Sequence, residues 1–265
     1  MLATPPDFDV LIVGAGISGI GMAAHMQMKA PAHSYAIVER RENLGGTWDL
    51  FRYPGIRSDS DMHTLGFDFE PWKHEKSIAD ASAILDYLHR IVDERGIRQH
   101  IRFGHKVVSA DFREDEARWH VTMEREDGST AHLTANFLYL GSGYYDYDEP
   151  YDPGFDFGDF EGQVIHPQFW PEDLDYSGKK VVVIGSGATA VTIVPSMADP
   201  SKPNGAAHVT MLQRTPTWMF ARPAKDGVAN FLRKILPESL AYRITRFKNI
   251  RMQDYTFKMA REKPE

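Results

Sequence analysis

Residues 8–19 read Phe8-Asp9-Val10-Leu11-Ile12-Val13-Gly14-Ala15-Gly16-Ile17-Ser18-Gly19. The short, mostly apolar run from Phe8 to Val13 ends on glycine, as a buried parallel strand does. G-x-G-x-x-G follows directly, and Ile17 to Met28 reads as a helix. Glycines at these positions permit a tight turn, close approach of a pyrophosphate to the backbone, and close packing of helix on strand. The start of the helix adds unpaired N–H groups and a positive dipole end. Gly14, Gly16, Ser18 and Gly19 are therefore candidate phosphate-binding residues. Ser34 to Val38 is predicted as the next strand, and Glu39 ends it, 20 residues after Gly19. A carboxylate there can accept hydrogen bonds from ribose hydroxyls. A purely structural glycine turn would require neither the helix nor the acid in register.

The residues after the acid favour FAD over a nicotinamide dinucleotide at this first site. Gly45 and Gly46 stand where a loop must run close along a second part of the same cofactor, and Thr47, Trp48, Asp49 and Leu50 are placed to line it. Val107 lies in a predicted strand that could reach the adenine through its backbone; a core valine is the plainer alternative. Ser77 to Arg95 carries Ile84, Leu85, Leu88, Ile91 and Val92 at helical spacing, with Gly96 as its C-cap. Short strands are expected at 101–103, 106–112, 118–124 and 130–140, with Asp127-Gly128 as a hairpin turn. These make a small β-meander.

A second strand–turn–helix unit begins at Lys180 to Ile184 and continues through Gly185-Ser186-Gly187-Ala188-Thr189-Ala190. Its helix is predicted to end near Met197, and its next strand covers His208 to Leu212. No carboxylate follows that strand. Gln213 and Arg214 do, and a planar guanidinium suits a 2′-phosphate through forked, charge-assisted hydrogen bonds. This reads as NADPH rather than NADH, the plain alternative being a surface arginine at a strand end. The expected fold is α/β, with two Rossmann-like dinucleotide-binding domains, FAD then NADP. Residues 1–145 form the FAD domain with its meander, 146–178 a linker, and 179–265 a partial NADP domain with a helical insert.

Composition removes several classes. The 265 residues are 42% apolar, enough for a core, and carry a net charge of −7, which argues against a general nucleic-acid binder. There is no cysteine, so disulfide staples, thiolate metal sites and a redox-active cysteine pair are excluded from this chain. No apolar run approaches the roughly 18 residues of a membrane span. Met1 to Phe8 lacks the plan of a signal peptide, so the expectation is a cytoplasmic protein. From Val228 to Lys263 the chain is helical and basic, with nine Lys/Arg against three Asp/Glu, which reads as a solvated face.

Between the two units lies Phe160-Glu161-Gly162-Gln163-Val164-Ile165-His166-Pro167-Gln168-Phe169-Trp170-Pro171. It fits F-x-G-x-x-x-H-x-x-x-W-P and resembles the fingerprint of the Baeyer–Villiger monooxygenases of the flavin monooxygenase superfamily. Gly45-Gly46-Thr47-Trp48, Arg52-Tyr53-Pro54-Gly55 and Arg57-Ser58-Asp59 look like that family's flavin-lining loop. The runs at 49–61, 142–149 and 166–176 resemble its ethionamide-activating type. The resemblance implies an FAD- and NADPH-dependent monooxygenase. Reduced flavin would react with O2, and a C4a-peroxyflavin would insert one oxygen into a ketone, giving an ester or lactone, or oxygenate the sulfur of a thioether or thioamide. By the same resemblance Asp59 lies near flavin and nicotinamide, Arg57 and Ser58 face NADP, and His166 couples the linker to domain rotation. Asp59 and His166 are thus the catalytic candidates.

Family chains are considerably longer. The resemblance therefore implies two domains that both lack their C-terminal completion, with an exposed sheet edge and apolar faces. The helices beyond Val228 would pack on those faces or on a partner chain that completes the site. No residue here stands for the arginine that stabilises the peroxyflavin anion in the family. One alternative is a catalytically incomplete FAD/NADP-binding fragment or subunit. Another is an N- and S-oxidising flavin-containing monooxygenase, against which Trp170-Pro171 weighs.

Overall fold

The structure is a computed structural model that describes residues 5–202, 204–215 and 223–262. It resolves into two compact units, Met1–Arg52 with Ser82–Glu172, and Tyr53–Ala81 with Asp173–Glu265. These cut the chain differently from 1–145, 146–178 and 179–265. Residues 53–81 cluster with the second unit because Ser77 and Ile78 donate their amides to Ala224 O at 2.7 and 3.1 Å. Residues 146–172 cluster with the first, where Asp148 pairs with Arg40 and Lys106.

The first unit is built on a six-stranded sheet. Its strands are β1 (Phe8–Val13), β2 (Tyr35–Val38), β3 (Ile101–Arg102), β4 (His105–Arg113), β5 (Arg118–Arg125) and β6 (Thr130–Leu140), in the order β3-β2-β1-β6-β5-β4. β1 runs parallel to β2 and β6, and β2 parallel to β3, while β4, β5 and β6 form the antiparallel meander. One long strand, β6, serves both halves: Ala135 is opposite Phe8 of β1 and Trp119 of β5. Leu11, Ala36 and Val38 share a core with Val121, Met123, Leu133 and Ala135. Ile12 and Ile37, of opposite parity, are also fully buried, which explains why β1 and β2 read as continuous apolar runs. Each such side chain removed from water stabilises the unit by about 1.5–3 kcal/mol.

Between β1 and β2 lies α1 (Ile17–Lys29), whose buried face is made of small residues, Gly19, Ala23 and Ala24, beside Ile20. That composition lets the helix axis approach the sheet closely. α2 (Thr47–Leu50) is a single turn. α4 (Ala81–Glu94) buries Ile84, Leu88, Ile91 and Val92, the spacing read from sequence. It ends where Gly96, at φ +63°, lets Ile97 N donate back to Val92 O at 2.8 Å. The Asp127-Gly128 hairpin forms as expected, with Gly128 at φ +76°.

The second unit contains α3 (Met62–Leu65), β7 (Lys180–Ile184), α5 (Ala188–Met197), β8 (His208–Leu212), α6 (Gly227–Ile235) and α7 (Glu238–Glu262). β7 and β8 pair in parallel from Lys180 opposite His208 to Ile184 opposite Leu212. Val182, Ile184 and Leu212 are exposed, matching the expectation of uncovered apolar side chains. The tail helices pack on the 53–81 segment. Asp61, wholly buried, caps the N-terminus of α3 and accepts from Asn249 Nδ2 of α7 at 2.8 Å. Arg246 Nη1 donates to the carbonyls of His63, Thr64 and Gly66 at the other end of α3. Asp226 caps α6 through the amide of Ala229 and pairs with Lys248 at 2.8 Å. Beyond Ile250, α7 is exposed, and Lys263 lies outside the described residues. Among those residues no helix is long and apolar enough to cross a membrane, and no cluster of acids and histidines could hold a metal.

Candidate functional site

The first glycine turn is an open cradle of backbone. Gly14, at φ +98°, donates its amide to Val38 O at 2.8 Å, and a Cβ on it would lie 2.7 Å from Gly141 O. Gly16 is the N-cap of α1, with no side chain over the helix end. The first helical hydrogen bond runs from Ile20 N to Gly16 O at 3.0 Å. The amides of Ile17, Ser18 and Gly19 thus have no partner within the helix, which is the donor set an anion needs. Gly19 is buried under Gly14, whose carbonyl a Cβ on Gly19 would overlap. Ser18 is exposed, and its hydroxyl shares a 3.0 Å hydrogen bond with that of Tyr139.

Glu39 sits just past β2 and is 5% exposed. Its Oε2 accepts from Ala15 N at 2.7 Å and its Oε1 from Arg41 N at 3.0 Å. The acid is therefore held on the turn itself. Gly45 N donates to Ala15 O at 2.9 Å, which draws the next loop onto the same place, and a Cβ on Gly46 would lie 3.1 Å from Gly16 Cα. Two backbones converge here with no side chain between them. The residues present fit a dinucleotide in this respect: free amides, an acid, and room only for backbone.

Thr47, Trp48, Asp49 and Leu50 form α2, directly after Gly46. Asp49 is buried and its carboxylate is already engaged, 2.9 Å from Arg41 Nη2 and 3.0 Å from Arg52 Nη2. Tyr147, which the sequence reading passed over, completes this region. Burial pushes its phenol pKa up, Glu39 pushes it further, and Arg41 and a hydrogen bond with Thr47 oppose both. Arg40 and Arg41 lie over its ring at 5.7 and 5.9 Å. Asp148 binds Arg40 at 2.5 Å and Lys106 at 2.9 Å. These hydrogen bonds lower its carboxyl pKa to about 2. Val107 lies on the edge strand β4, at a bulge between Val107 and Ser109, and packs on the core from a partly buried position.

The second turn repeats the cradle in the second unit. Gly185, at φ +130°, donates its amide to Leu212 O at 2.8 Å, and Gly187 is the N-cap of α5. Val191 N to Gly187 O is the first helical bond, at 3.1 Å, so the amides of Ala188, Thr189 and Ala190 have no helical partner. A Cβ on Gly187 would meet nothing within 4 Å. Ser186 Oγ donates to Thr215 O at 3.1 Å. That bond brings the segment bearing Gln213 and Arg214, both exposed, alongside the glycine turn. Tyr53 is buried, which raises its phenol pKa; Thr189 opposes this and Asp59 adds to it.

Arg57, Ser58 and Asp59 belong to this second unit. Arg57 is exposed and forms an antiparallel bridge with Asp80. Ser58 is buried, donating its amide to Ala79 O at 2.8 Å and accepting from Ala79 N on Oγ at 3.1 Å. Asp59 is exposed. His166, in the first unit, is also exposed and caps a single 3₁₀ turn, its Nδ1 accepting from Gln168 N at 3.2 Å. In the fingerprint it is Gln168, at an unspecified position, that is buried.

Known proteins resemble this chain in sequence and in fold. The sequence pattern of the pyridine nucleotide-disulphide oxidoreductases matches residues 11–259. The chain is 55% identical over 258 residues to the FAD-containing monooxygenase EthA of Mycolicibacterium smegmatis, covering 97% of this chain and 51% of that protein. It is 51% identical over 258 residues to the probable FAD-binding monooxygenase AlmA of Acinetobacter baylyi, with the same coverage. The fold resembles that of OTEMO in complex with FAD and NADP, with a TM-score of 0.68 and 30% identity over 81% of this chain and 40% of that one. It also resembles cyclohexanone monooxygenase from Rhodococcus sp. Phi1 bound to NADP+, with a TM-score of 0.65, 31% identity, and coverage of 81% and 39%. The chain spans about half the length of the curated relatives it matches.

Proposed function

The chain belongs to the pyridine nucleotide-disulphide oxidoreductase family, and from that premise we propose that it carries the FAD and NADPH sites of a Baeyer–Villiger-type monooxygenase. Residues 1–145 would hold FAD, 179–265 NADPH, and 146–178 would link them. The observation that carries this reading is the pair of open glycine turns, one closed by Glu39 and the other flanked by Arg214. Relatives named as FAD-containing monooxygenases support the flavin, and a solved neighbour with both FAD and NADP supports the pair. The cysteine-free sequence separates this chain from the disulfide chemistry for which the family is named.

Bound flavin would take electrons from NADPH and supply the oxygen chemistry. The chain's own residues bind and orient. The amides of 17–19 and Glu39 would fix pyrophosphate and ribose, and Gly16 and Gly46 would let the flavin dinucleotide pass against backbone. The amides of 188–190 would hold the second pyrophosphate, with Gln213 and Arg214 reading the 2′-phosphate. Arg57, Ser58 and Asp59 would face the nicotinamide side, and His166 would couple the linker to rotation. A ketone, thioether or thioamide with O2 is the substrate class, and the cytoplasm the location. Trp170-Pro171 favours this reading over an N- and S-oxidising enzyme.

A second reading is a nucleotide-binding portion that needs further polypeptide to complete its site. The exposed Val182, Ile184 and Leu212 favour it, since uncovered apolar faces mark contact surfaces. One experiment separates the two. The purified 265-residue chain is examined for bound flavin in its visible spectrum, then for NADPH oxidation with and without a ketone or thioether. Oxygenated product supports the complete enzyme. Bound flavin with only peroxide released supports the incomplete site, and no flavin uptake at all overturns the first-site assignment.

A further inference from the structure

Three segments of the first unit meet beside the first glycine turn: residues 39–41, residues 45–49, and residues 146–149 beyond β6. The last of these is built to hold its shape. Asp146 Oδ1 accepts from the amides of Asp148 and Glu149 at 2.9 and 3.0 Å, and Asp146 O accepts from Nε2 of the buried Gln168 at 2.7 Å. Asp148 then pairs with Arg40 at 2.5 Å and Lys106 at 2.9 Å, which fixes the segment at the end of β2. Between these anchors stands Tyr147, half-buried. The guanidinium carbons of Arg40 and Arg41 lie 5.7 and 5.9 Å from its ring centroid, within cation–π distance. Arg41 is itself held by Asp49 at 2.9 Å and donates to Gly46 O at 3.4 Å. The ring is thereby seated on the loop that follows Glu39. Its hydroxyl ends at the glycines: a Cβ on Gly46 would lie 3.1 Å from Gly16 Cα and 3.7 Å from Tyr147 Oη.

On the reading of the first turn as the FAD site, we propose that Tyr147 is a further binding residue of that site. Its hydroxyl donates to the adenosine-diphosphate half of FAD where that half runs between Gly16 and Gly46. The two glycines bring no side chain to this gap, so a polar group there must come from elsewhere in the chain. Glu39, held on the amides of Ala15 and Arg41, brings negative charge, which suits ribose hydroxyls and repels phosphate. A phenol supplies what the carboxylate cannot, an uncharged O–H on a ring broad enough to be gripped. Arg40 and Arg41 are each matched by a carboxylate, Asp148 and Asp49, so they serve to hold that ring. Burial pushes the phenol pKa up, Glu39 adds to this, and Arg41 and Arg40 oppose it. The O–H is therefore kept at neutral pH.

The test is calorimetric titration of FAD into the flavin-free 265-residue chain, with ADP as a competitor that displaces FAD and NADP+ as a control. Tyr147→Phe keeps the ring between its anchors and removes only the hydroxyl. It should weaken FAD by about three- to tenfold. ADP should weaken by the same factor, because it carries the half of the cofactor that meets Tyr147, and NADP+ should bind as before. Tyr147→Leu removes the ring as well and should weaken FAD further. Unchanged FAD affinity in Tyr147→Phe overturns the proposal, whatever Tyr147→Leu does. A loss for FAD without one for ADP also overturns it, since the contact would then lie on the flavin half. So does a fall in the melting temperature of flavin-free Tyr147→Phe large enough to account for the lost affinity, which would make the hydroxyl structural. These outcomes presuppose FAD uptake by the unsubstituted chain; if it takes up neither FAD nor ADP, the first-site reading fails and the proposal falls with it.

Discussion

Glu39 accepts a 2.7 Å hydrogen bond from the amide of Ala15, the residue between the first two glycines of the first turn. The acid that would meet the ribose is thus also the acid that shapes the pyrophosphate turn. Its replacement should damage both. Glu39→Ala strands the buried amide of Ala15 and the part-buried one of Arg41 and should cost about 1–3 kcal/mol of stability. Flavin retained through purification should fall with it, and Glu39→Gln, which keeps an acceptor, should do less harm. Thermal melting and the ratio of flavin to protein absorbance measure the two effects.

Arg214 stands exposed beside the second turn, where Ser186 draws its chain segment in. Arg214→Ala should weaken NADPH far more than NADH, with about 1.5–3 kcal/mol of selectivity lost for a charge-assisted bond. Direct titration of both nucleotides gives the ratio; equal losses would remove Arg214 from the 2′-phosphate.

Gly19 and Gly187 occupy different places in the two cradles and should respond differently. A methyl on Gly19 overlaps the Gly14 carbonyl, so Gly19→Ala should destabilise the first unit by about 1–3 kcal/mol through overpacking. A methyl on Gly187 meets no protein atom within 4 Å. Gly187→Ala should keep the melting temperature yet weaken NADP+, because the methyl would stand in the path proposed for the phosphates.

His63 gives the second unit a pH dependence. It is 3% exposed, and its Nδ1 has no hydrogen-bond partner among the described residues. Burial lowers its pKa, Asp61 and Asp226 oppose this, and Arg233 and Lys248 reinforce it. The unfolded imidazole binds its proton near pH 6.5, whereas the folded one resists it. Stability is therefore unaffected above that pH and is lost as pH falls below it. The melting temperature should decline below about pH 6.5, and His63→Gln should flatten that part of the profile. Parallel profiles for the two proteins would falsify the assignment.

Asp226 caps α6 and pairs with Lys248 of α7. Asp226→Ala removes both and should cost about 2 kcal/mol, chiefly as a lost cap. Lys248→Met, which leaves the cap, should cost less. Urea denaturation monitored by helix signal would rank them.

What could be read from sequence was local. The runs at 8–19 and 180–190 carry strand, turn and helix within a dozen residues, so β1, α1, β7, α5 and β8 fall where the pattern puts them. Glu39 was legible because a fixed spacing ties it to Gly19. The contacts that were not legible join distant residues: Ala135 with Phe8, Asn249 with Asp61, Ser77 with Ala224. None of these leaves a periodic trace. α2 and α3, of four residues each, are too short for an apolar period to show. Tyr147 and Arg41 escaped for another reason: an aromatic ring or a guanidinium becomes part of a site only once folding brings backbone to it.

The shared strand β6 also bears on how the chain is made. β1 needs β6 along one edge, yet about a hundred residues separate the end of β2 from the end of β6. At a ribosomal pace of 5–20 residues per second, the first strand waits roughly 5–20 s for that neighbour. Meanwhile the nascent β1–α1–β2 piece presents an open, apolar edge to whatever is nearby. Yield in a cell should therefore depend on chaperone supply and synthesis rate more than on the stability of the finished sheet.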